Sequence, residues 1–356
     1  MDQVQKLRQQ AIEIKTQEPR LRNRNLASKM GISEAELLTL TLSDNTIRLR
    51  PAFKELLVDL KEMGYVMALT RNEACVHERK GIYDNITFYE GHANMGVAVN
   101  PDIDLRFFMS QWVYGLAVVM DRGRMGKLYS FQFFNKHGEA VHKVFSTPKS
   151  NIEAYHQLVA KYRAEEQEAL LDLPPTTTTA VEELADDKID VQGFQQAWLN
   201  LQDTHDFFGM LKKFEGSRPQ ALRLAPTGHA EEVPTDSVKT VLETCAKREV
   251  SIMCFVHSKG CIQIHSGEIR NLRQMDAWYN VLDPKFNLHL DMNHVEKCWI
   301  VRKPTEDGIV TSLELFDKYG KLIVYFFGAR KPGKPELEGW RAAIDHLKSA
   351  IVSDSK

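Results

Sequence analysis

The chain has 356 residues, a length that exceeds one average domain and suggests two. Charged residues make up 26% of the chain and hydrophobic residues 43%, a balance that excludes a disordered chain, a fibre and a coiled coil. The 46 basic and 48 acidic residues leave a net charge of −2, so the overall charge gives no indication of nucleic-acid binding.

The first part of the chain is predicted to be helical. One helix covers 3–17, and a second begins at Ser33, where Ser33 and Glu36 form a capping box. A third helix, FKELLVDLKEM (53–63), ends before Gly64, the residue type that commonly follows a helix. Strands are then predicted at 64–70, 96–100 and 127–134.

The second part of the chain is predicted to be rich in strands. The turns NKHG (135–138) in the first part and DKYG (317–320) in the second part are each predicted to join two strands as a hairpin. An amphipathic helix is predicted at 340–351. The strands of this part lie at 250–256, 261–265, 297–303, 311–316 and 321–328.

An internal duplication relates the two parts. The segment RNEACVHERKG (71–81) matches HSKGCIQIHSG (257–267), and YSFQFFNKHG (129–138) matches TSLELFDKYG (311–320). These matches occur in the same order along the chain. Since helices and strands are grouped rather than alternating, the sequence predicts an α+β fold of two homologous repeats, each a large antiparallel β-sheet flanked by helices.

A linker is predicted between the repeats. The segment LLDLPPTTTTAVEELADDKID (170–190) contains two prolines, four consecutive threonines and acidic flanks, a composition typical of an exposed linker. We therefore predict an amino-terminal repeat at 1–165, a linker at 166–190 and a carboxy-terminal repeat at 191–356.

The cysteines indicate a reducing compartment. Their number is odd, and none forms a C-x-x-C pair, so we expect buried structural thiols rather than disulfides or a zinc site. No apolar run approaches the ~20 residues that span a bilayer, and the first residues lack the apolar core of a secretory signal. The prediction is a cytoplasmic protein. The cysteines are Cys75, Cys245, Cys254, Cys261 and Cys298.

His205 is the first candidate functional residue. In the segment 198–216, Trp198, Leu201, His205 and Phe208 fall at helical spacing, which predicts one shared helical face. Such a histidine is either a hydrogen-bonded core residue or the axial ligand of a large flat apolar cofactor such as a porphyrin. The duplication aligns Pro19 with it in the first repeat, as expected for a ligand that is needed only once.

Arg106 is the second candidate. It lies in the strand-like segment 100–112, beside Phe107 and Phe108. It either pairs with Asp104 or reaches the surface along its apolar stem, or it places a cationic group in a cavity shared by the repeats. The sequence contains no dinucleotide-binding, P-loop, zinc-protease or serine-hydrolase motif.

Several longer segments carry a resemblance to a known family. They are NEACVHE (72–78), GHANMGVAVNPDIDLRFFMSQW (91–112), THDFF (204–208), GCIQIHSG (260–267) and WIVRKPTEDGIVTSLELFDKYG (299–320). They resemble the bacterial cytoplasmic haem utilisation proteins of the HemS/ChuS type, also called haem-degrading factors or hemin transport proteins. The resemblance covers nearly the whole chain. It implies two repeats with large antiparallel sheets and a haem, predicted to be haem b, bound in the second repeat between the halves.

The resemblance also implies roles for individual residues. His205 matches the axial iron ligand, and Arg106 matches a distal arginine from the first repeat. Because metal-bound histidines commonly donate from their second nitrogen, we expect Asp206 or a backbone carbonyl to orient the His205 ring. Tyr325 and Phe327 stand where some relatives have glutamine and tyrosine. His77 matches a histidine discussed as a secondary haem contact, or it is a surface or structural histidine. The remaining pocket and propionate residues of the family match Phe208, Arg218, Phe255, Lys303 and Arg330.

Two haem-related functions follow from the resemblance. One is a carrier that receives haem after import and passes it on, with a haem importer or a haem oxygenase as donor or acceptor. The other is an oxygenase-type enzyme that cleaves haem and releases iron, with Arg106 as a catalytic residue that activates oxygen at the iron. A protein-binding scaffold without haem is the third alternative.

Overall fold

The computed structural model describes residues 3–43, 45–89, 91, 94–167, 169, 171, 173–174, 181, 183–330 and 333–354, with side chains up to residue 347. Within these ranges it has ten α-helices and eighteen β-strands. The helices are α1 (Gln3–Gln17), α2 (Asn23–Met30), α3 (Glu34–Thr39), α4 (Phe53–Asp59), α5 (Ile152–Tyr162), α6 (Val191–Leu199), α7 (Asp206–Lys213), α8 (Arg218–Arg223), α9 (Ser237–Lys247) and α10 (Glu338–Asp354). The strands are β1 (Thr46–Leu49), β2 (Gly64–Arg71), β3 (Cys75–Ile82), β4 (Ile86–Phe88), β5 (Met95–Val99), β6 (Asp104–Phe108), β7 (Tyr114–Asp121), β8 (Lys127–Phe134), β9 (Ala140–Ser150), β10 (Ala230–Val233), β11 (Ile252–His257), β12 (Cys261–Gly267), β13 (Leu272–Met275), β14 (Trp278–Leu282), β15 (Phe286–Asp291), β16 (Lys297–Thr305), β17 (Gly308–Phe316) and β18 (Leu322–Gly328).

The strands of the described ranges form two nine-stranded antiparallel sheets. The strand order is β1-β7-β8-β9-β2-β3-β15-β14-β13 in the first sheet and β10-β16-β17-β18-β11-β12-β6-β5-β4 in the second. Consecutive strands such as β7, β8 and β9, or β16, β17 and β18, pair as hairpins. The predicted α+β class with large antiparallel sheets is therefore confirmed.

The chain divides into two compact units. The first comprises Met1–Arg71, Glu78–Thr177 and His257–Gln263, and the second comprises Asn72–His77, Thr178–Val256 and Ile264–Lys356. The main division falls within the predicted linker, although its residues 168, 170, 172, 175–180 and 182 lie outside the described ranges. The two short segments at 72–77 and 257–263 were not expected, because the sequence predicts only one boundary.

The amino-terminal elements follow their sequence signals. The predicted helix at 3–17 is α1. The Ser33 Oγ accepts from the backbone N–H of Glu36 at 3.1 Å, and the Ser33 N–H donates to Glu36 Oε2 at 2.7 Å, so the predicted capping box is confirmed. The third predicted helix is α4 followed by a 3₁₀ turn, and it ends at Gly64 with φ of 65°.

The two predicted hairpin turns are confirmed, and they join equivalent strands. Gly138 and Gly320 end these turns with φ of 71° and 76°, a conformation that glycine adopts without steric cost. The β8–β9 and β17–β18 ladders then have the same register, 182 positions apart. The equivalent cross-strand pairs are Ser130–Phe145 and Ser312–Phe327, and Gln132–Lys143 and Glu314–Tyr325.

Each unit has a core on one face of its strands. In the first unit, α4 and α5 bury apolar side chains against β8 and β9, including Leu57, Leu158 and Phe131. In the second unit, α9 and α10 do the same against β17 and β18, with Leu242 and Trp340 fully buried. The opposite face of β17 and β18 is thereby left for other contacts, because side chains alternate between the two faces of a strand.

The cysteines agree with a further expectation. All five cysteines are buried and unpaired, as predicted. Burial raises the pKa of the Cys261 thiol to about 12, so it stays protonated and unreactive at neutral pH. None of the helices in the described ranges is long and apolar enough to cross a membrane.

A buried hydrogen-bonded chain connects β2, β9 and β12 in the first unit. His142 bonds through Nδ1 with Thr70 Oγ1 at 2.8 Å and through Nε2 with the Tyr83 hydroxyl at 2.5 Å. The Thr70 hydroxyl donates to Cys261 Sγ at 3.6 Å. Burial lowers the pKa of His142 to about 3, because the charged imidazole would lose its hydration. His142 is therefore neutral in the folded protein.

Acid is expected to destabilise the fold through His142. Between pH 6.5 and about 3 the unfolded chain binds a proton at this imidazole and the folded chain does not. The free energy of unfolding therefore falls with decreasing pH, by about 3 kcal/mol at about pH 4. Urea unfolding of His142→Gln should show a pH slope shallower by about one proton. The exposed His156→Gln is the control; equal slopes for both variants would contradict this assignment.

Candidate functional site

A loop interrupts the helix that was predicted within 198–216. Helix α6 ends and α7 begins with residues 200–205 between them. Asp203 Oδ1 accepts from the backbone N–H of His205 at 2.8 Å, and Asp206 Oδ2 accepts from that of Asp203 at 3.2 Å. Such local bonds compete with helix formation. The predicted common face is therefore wrong, and its members form a buried pair and an exposed pair: Trp198 and Leu201, and His205 and Phe208.

His205 stands at the beginning of α7 with 93% of its side chain exposed. The core-histidine interpretation is therefore wrong. Its Nδ1 lies 2.5 Å from Asp203 Oδ1, and because an ionised carboxylate only accepts, Nδ1 carries the proton. Nε2 is then the nitrogen left for a ligand. The ring is oriented by Asp203, not by Asp206 or a backbone carbonyl as predicted.

The loop that carries His205 is fixed to the turn between β16 and β17. The backbone N–H of Glu306 in that turn donates to the carbonyl of Gln202 at 3.0 Å. At the same turn, Arg330 Nη2 donates to Asp307 Oδ2 at 3.1 Å. The backbone N–H of His205 and, more weakly, the charge of Arg330 lower the pKa of Asp203. The turn thus brings Arg330 and the His205 loop to one side of the second unit.

An aromatic patch (Phe255, Tyr325 and Phe327) covers part of the open face of β11 and β18. Phe255 and Tyr325 are direct cross-strand partners, and their rings stack 4.8 Å apart at 14°. Phe327 packs edge-on against both rings at 5.4 Å. All three side chains are half-buried, whereas the residues between them point into the core. The patch is a flat apolar surface on which a planar ligand can stack.

An ion cluster (Arg218, Lys303 and Glu314) borders the aromatic patch on the same face. Glu314 on β17 is fully buried, and its oxygens accept from Arg218 Nε and Nη2, both at 2.8 Å. Lys303 Nζ on β16 donates to Glu314 Oε1 at 3.0 Å, and the Ser312 hydroxyl donates to the same oxygen at 2.8 Å. One carboxylate therefore binds two cations.

The charges of the ion cluster are retained in the folded protein. Burial would raise the pKa of Glu314, but Arg218 and Lys303 hold it well below its ordinary value. Burial lowers the pKa of Lys303 to about 8, against the opposing effect of Glu314. With both cations protonated the cluster has a net charge of +1.

Aromatic rings surround the cations of the ion cluster. The guanidinium of Arg218 lies 5.4 Å from the ring centre of Phe207 and 5.5 Å from that of Tyr325. The ammonium of Lys303 lies 4.4 Å from the Phe207 ring, at a distance typical of a cation–π contact. Phe207 is buried against Trp198, with ring centres 4.9 Å apart. Phe207 therefore connects α7 to the ion cluster.

Phe208 lies beside this arrangement at the protein surface. Its side chain is 66% exposed, which is unusual for a large apolar residue. With Arg218 it lines an open depression of about 360 Å³ between α7 and α8. That volume is at the lower end of the range for small-molecule sites.

The equivalent face of the first unit is closed. Gln132 takes the position of Glu314, and Lys143 takes that of Tyr325. Lys143 Nζ donates to Glu34 Oε1 at 2.6 Å, and Arg71 Nη2 donates to Glu34 Oε2 at 2.7 Å. A buried ion cluster thus occupies the position of Tyr325, whereas Phe145 keeps an aromatic ring at the position of Phe327, and the two repeats differ in the surface that they present.

The two predicted residues of the first repeat have different surroundings. Arg106 on β6 belongs to the first unit, and its guanidinium bonds to Asp104 and, at 3.2 Å, to the carbonyl of Leu105. Its side chain is one-third exposed. His77 on β3 is fully buried and packs against the ring of Phe286. The surface interpretation of His77 is therefore wrong.

Sequence reasoning missed three acidic residues of the site. Glu314 binds both cations of the ion cluster, Asp203 orients His205, and Asp307 pairs with Arg330. The signal for Glu314 was present, because it is a single acidic residue in the apolar strand TSLELF. The signal for Asp203 was its place two residues before the histidine.

A bare metal ion has no cluster of ligands in the described part of the chain, in which no group of three or more His, Cys, Asp or Glu side chains is placed to hold one.

The family model "Haemin-degrading HemS.ChuX domain" matches residues 31–162 and 215–347. The two matched regions fall in the two predicted repeats.

Known proteins match the chain over nearly its whole length. It is 37% identical to the hemin transport protein HmuS of Yersinia pestis, over 96% of this chain and 97% of that protein. Holo-PhuS, a haem-binding protein from Pseudomonas aeruginosa, superposes with a TM-score of 0.92 at 43% identity, covering 96% and 98% of the chains. The haem-degrading enzyme ChuS of Escherichia coli O157:H7 superposes with a TM-score of 0.88 at 32% identity, covering 97% and 99%.

The ion cluster predicts unequal effects of its members on stability. Lys303→Met leaves Glu314 paired with Arg218 and places an apolar side chain against Phe207, so the free energy of unfolding should change by less than about 1.5 kcal/mol. Glu314→Gln removes the carboxylate that both Arg218 and Lys303 bond and should cost about 3–5 kcal/mol. Urea unfolding of both variants measures the difference, and equal losses would contradict the pairing described here.

Proposed function

The chain belongs to the family of proteins with haemin-degrading HemS/ChuX domains, and we propose that it is a haem-binding protein of haem uptake and iron utilisation. Relatives that match over almost the full length are described as a hemin transport protein and a haem-binding protein. The observation that carries the proposal is the open face of the second unit. It combines the aromatic patch and the ion cluster, and the loop with the exposed imidazole of His205 is bonded to the turn at which Arg330 is paired.

This face fits the chemistry of haem b. Iron protoporphyrin IX has an apolar ring, an iron that accepts a nitrogen ligand, and two carboxylates. The ring can stack on the aromatic patch, where each Å² of apolar surface removed from water contributes about 25 cal/mol. Arg218 and Arg330 each retain N–H groups beyond those bonded to Glu314 and Asp307, and a guanidinium can bind a second carboxylate with them.

His205 is the axial ligand in this proposal. Its side chain is exposed, and the bond from Nδ1 to Asp203 leaves Nε2 with the lone pair that iron requires. A carboxylate that accepts from the other imidazole nitrogen fixes the ring and increases the basicity of the ligand nitrogen. Arg106 of the first repeat is the distal residue in the proposal, and Phe208 adds exposed apolar surface next to His205.

Haem carriage is the function that the geometry supports best. Arg218 and Lys303 share Glu314, and Arg330 is paired with Asp307, so the chain itself already offsets part of the positive charge. Each cation therefore keeps a carboxylate partner of the chain when the haem carboxylates leave, which suits reversible binding. The buried, unpaired cysteines agree with a reducing compartment, and we place the protein in the cytoplasm. A haem importer or a haem oxygenase is the donor or acceptor.

A haem-cleaving enzyme is the second candidate. The observation that favours it is the full-length match to ChuS, which is described as a haem-degrading enzyme. In this alternative Arg106 is the catalytic residue, because a guanidinium can stabilise negative charge that develops on a reacting oxygen.

Substitution of His205 tests the proposed ligand. On addition of hemin to the wild type we expect a Soret band with a defined stoichiometry. His205→Ala should shift this band and raise the Kd for hemin by at least about tenfold, because the iron–nitrogen bond is lost. His294→Ala, which removes a half-exposed histidine of the same unit, is the matched control. A protein that stays colourless with excess hemin would support the scaffold alternative.

Asp203→Asn tests the orientation of the imidazole. The amide cannot replace the charged acceptor at Nδ1, so we expect the Kd for hemin to rise about tenfold and the Soret maximum to move. Asp206→Asn is the control, since the described bond of Asp206 is to a backbone N–H and not to the imidazole. Equal effects of the two variants would mean that helix α7, rather than the ring, has been disturbed.

Haem loss in the presence of catalase distinguishes the carrier from the enzyme. The haem-loaded protein is supplied with a reductant and oxygen, and the Soret band is followed with and without catalase. For a carrier, catalase should suppress the decay of the Soret band. In that case the haem is attacked only by free peroxide, which catalase removes. Decay that continues in the presence of catalase and is slowed by Arg106→Ala would favour the enzyme.

A further inference from the structure

Glu314 has a position that none of the predicted ligand-binding roles explains. It is fully buried, so it does not itself meet a ligand, and it nevertheless bonds two predicted ligand-binding cations. We propose that Glu314 is a positioning residue that holds Arg218 with one edge of its guanidinium presented to a carboxylate of the ligand. This inference rests on the proposed function, because it requires haem to bind at this face.

The geometry of the Arg218–Glu314 pair defines the presented edge. The carboxylate of Glu314 accepts from Nε and Nη2, which are the donors on one side of the guanidinium. Nη1 and the second hydrogen of Nη2 form another edge with the spacing of a carboxylate. The Arg218 side chain is 27% exposed, and that of Glu314 is not exposed at all. Glu314 is therefore the inner partner, and a ligand carboxylate is the outer one.

The position of Arg218 in its helix is unfavourable without Glu314. Arg218 is the first residue of α8, after the N-cap Ser217. A cation at the amino-terminal end of a helix is repelled by the helix dipole. In the first repeat, the residue after the N-cap Ser33 is the acidic Glu34, which suits that position. The second repeat thus has a cation where the helix favours an acid.

The acid Glu314 on β17 and the cation Arg218 on α8 both occur in the second repeat only. Gln132 in the first repeat corresponds to Glu314, and each side chain bonds to the serine two residues before it. The neutral Gln132 donates to Ser130 Oγ at 3.0 Å, whereas the charged Glu314 accepts from Ser312. The carboxylate is therefore not required by the strand itself. Its distinguishing contacts are those to Arg218 and Lys303.

Removal of the Glu314 charge should change the binding of ligand carboxylates through the geometry of Arg218 more than through the net charge of the ion cluster. Lys303 is 3% exposed, and its protonation depends on the neighbouring carboxylate. In Glu314→Gln we expect Lys303 to lose its proton at neutral pH, so the ion cluster keeps a net charge of +1. What changes is that Arg218 loses the acceptor that fixes its side chain. The attraction for ligand carboxylates should then weaken, although a negative charge has been removed.

Hemin and hemin dimethyl ester separate the two effects, because they share the ring and the iron and differ only in the carboxylates. For the wild type we expect tighter binding of hemin than of the ester. Glu314→Gln should reduce this preference about tenfold and change the Kd for the ester by less than about threefold. Glu336→Gln is the matched control, because Glu336 is also buried, lies in the same unit and pairs with an arginine, Arg341. It should leave the preference unchanged.

A double-mutant cycle tests whether Glu314 acts through Arg218. Arg218→Lys keeps the charge but cannot bind two carboxylates by separate edges, and it should reduce the preference by itself. In Glu314→Gln/Arg218→Lys, we expect no further loss beyond that of Arg218→Lys. Independent effects, or tighter hemin binding by Glu314→Gln, would overturn the positioning role. A wild type that binds neither compound would instead refute the proposed function.

Discussion

A single carboxylate, that of Glu314, determines how the second repeat holds its positive charges. Two cations placed next to a buried aromatic side chain would be strongly unfavourable without an acceptor at hydrogen-bonding distance. Glu314 satisfies Arg218 on α8 and Lys303 on β16 at the same time, and Ser312 completes its bonds. The alternation of side chains along β17 puts Glu314 on the open face, while its neighbours Leu313 and Leu315 point into the core.

The duplication explains how one face came to be open. Both repeats use the same hairpin register, and in both the first residue of a helix, Glu34 or Arg218, bonds to a charged side chain of the hairpin. In the first repeat, Glu34 binds cations on the strands, and the face is closed by this cluster. In the second repeat the cation Arg218 is on the helix and the acid Glu314 is on the strand, and Tyr325 takes the position of Lys143. The same scaffold therefore yields a filled surface in one repeat and a flat apolar surface in the other.

The fold was predictable where local signals act alone. The capping box at Ser33, the glycines of both hairpin turns and the alternating strands each depend on a few neighbouring residues. The loop before His205 was missed, because the spacing of apolar residues does not reveal that the Asp203 side chain accepts from the backbone N–H of His205. That local bond competes with helix formation. The partners of Lys303 and Arg330 were missed for another reason. Both partners are acids that adjacent strands or turns bring close, and a pattern along the chain does not display such pairs.

Two kinds of constraint thus meet at the candidate site, and they differ in strength. Glu314 is fully buried and accepts four hydrogen bonds from Arg218, Lys303 and Ser312, so the geometry of the ion cluster is rigid. The imidazole of His205 is exposed and held by one carboxylate, on a loop that is fixed at Gln202. A ligand in contact with the ion cluster and with His205 would meet one rigid group and one that is held less tightly. For the proposed haem ligand, such a division would allow binding in a defined orientation and release, because release would need a change at the exposed imidazole and would leave the ion cluster intact.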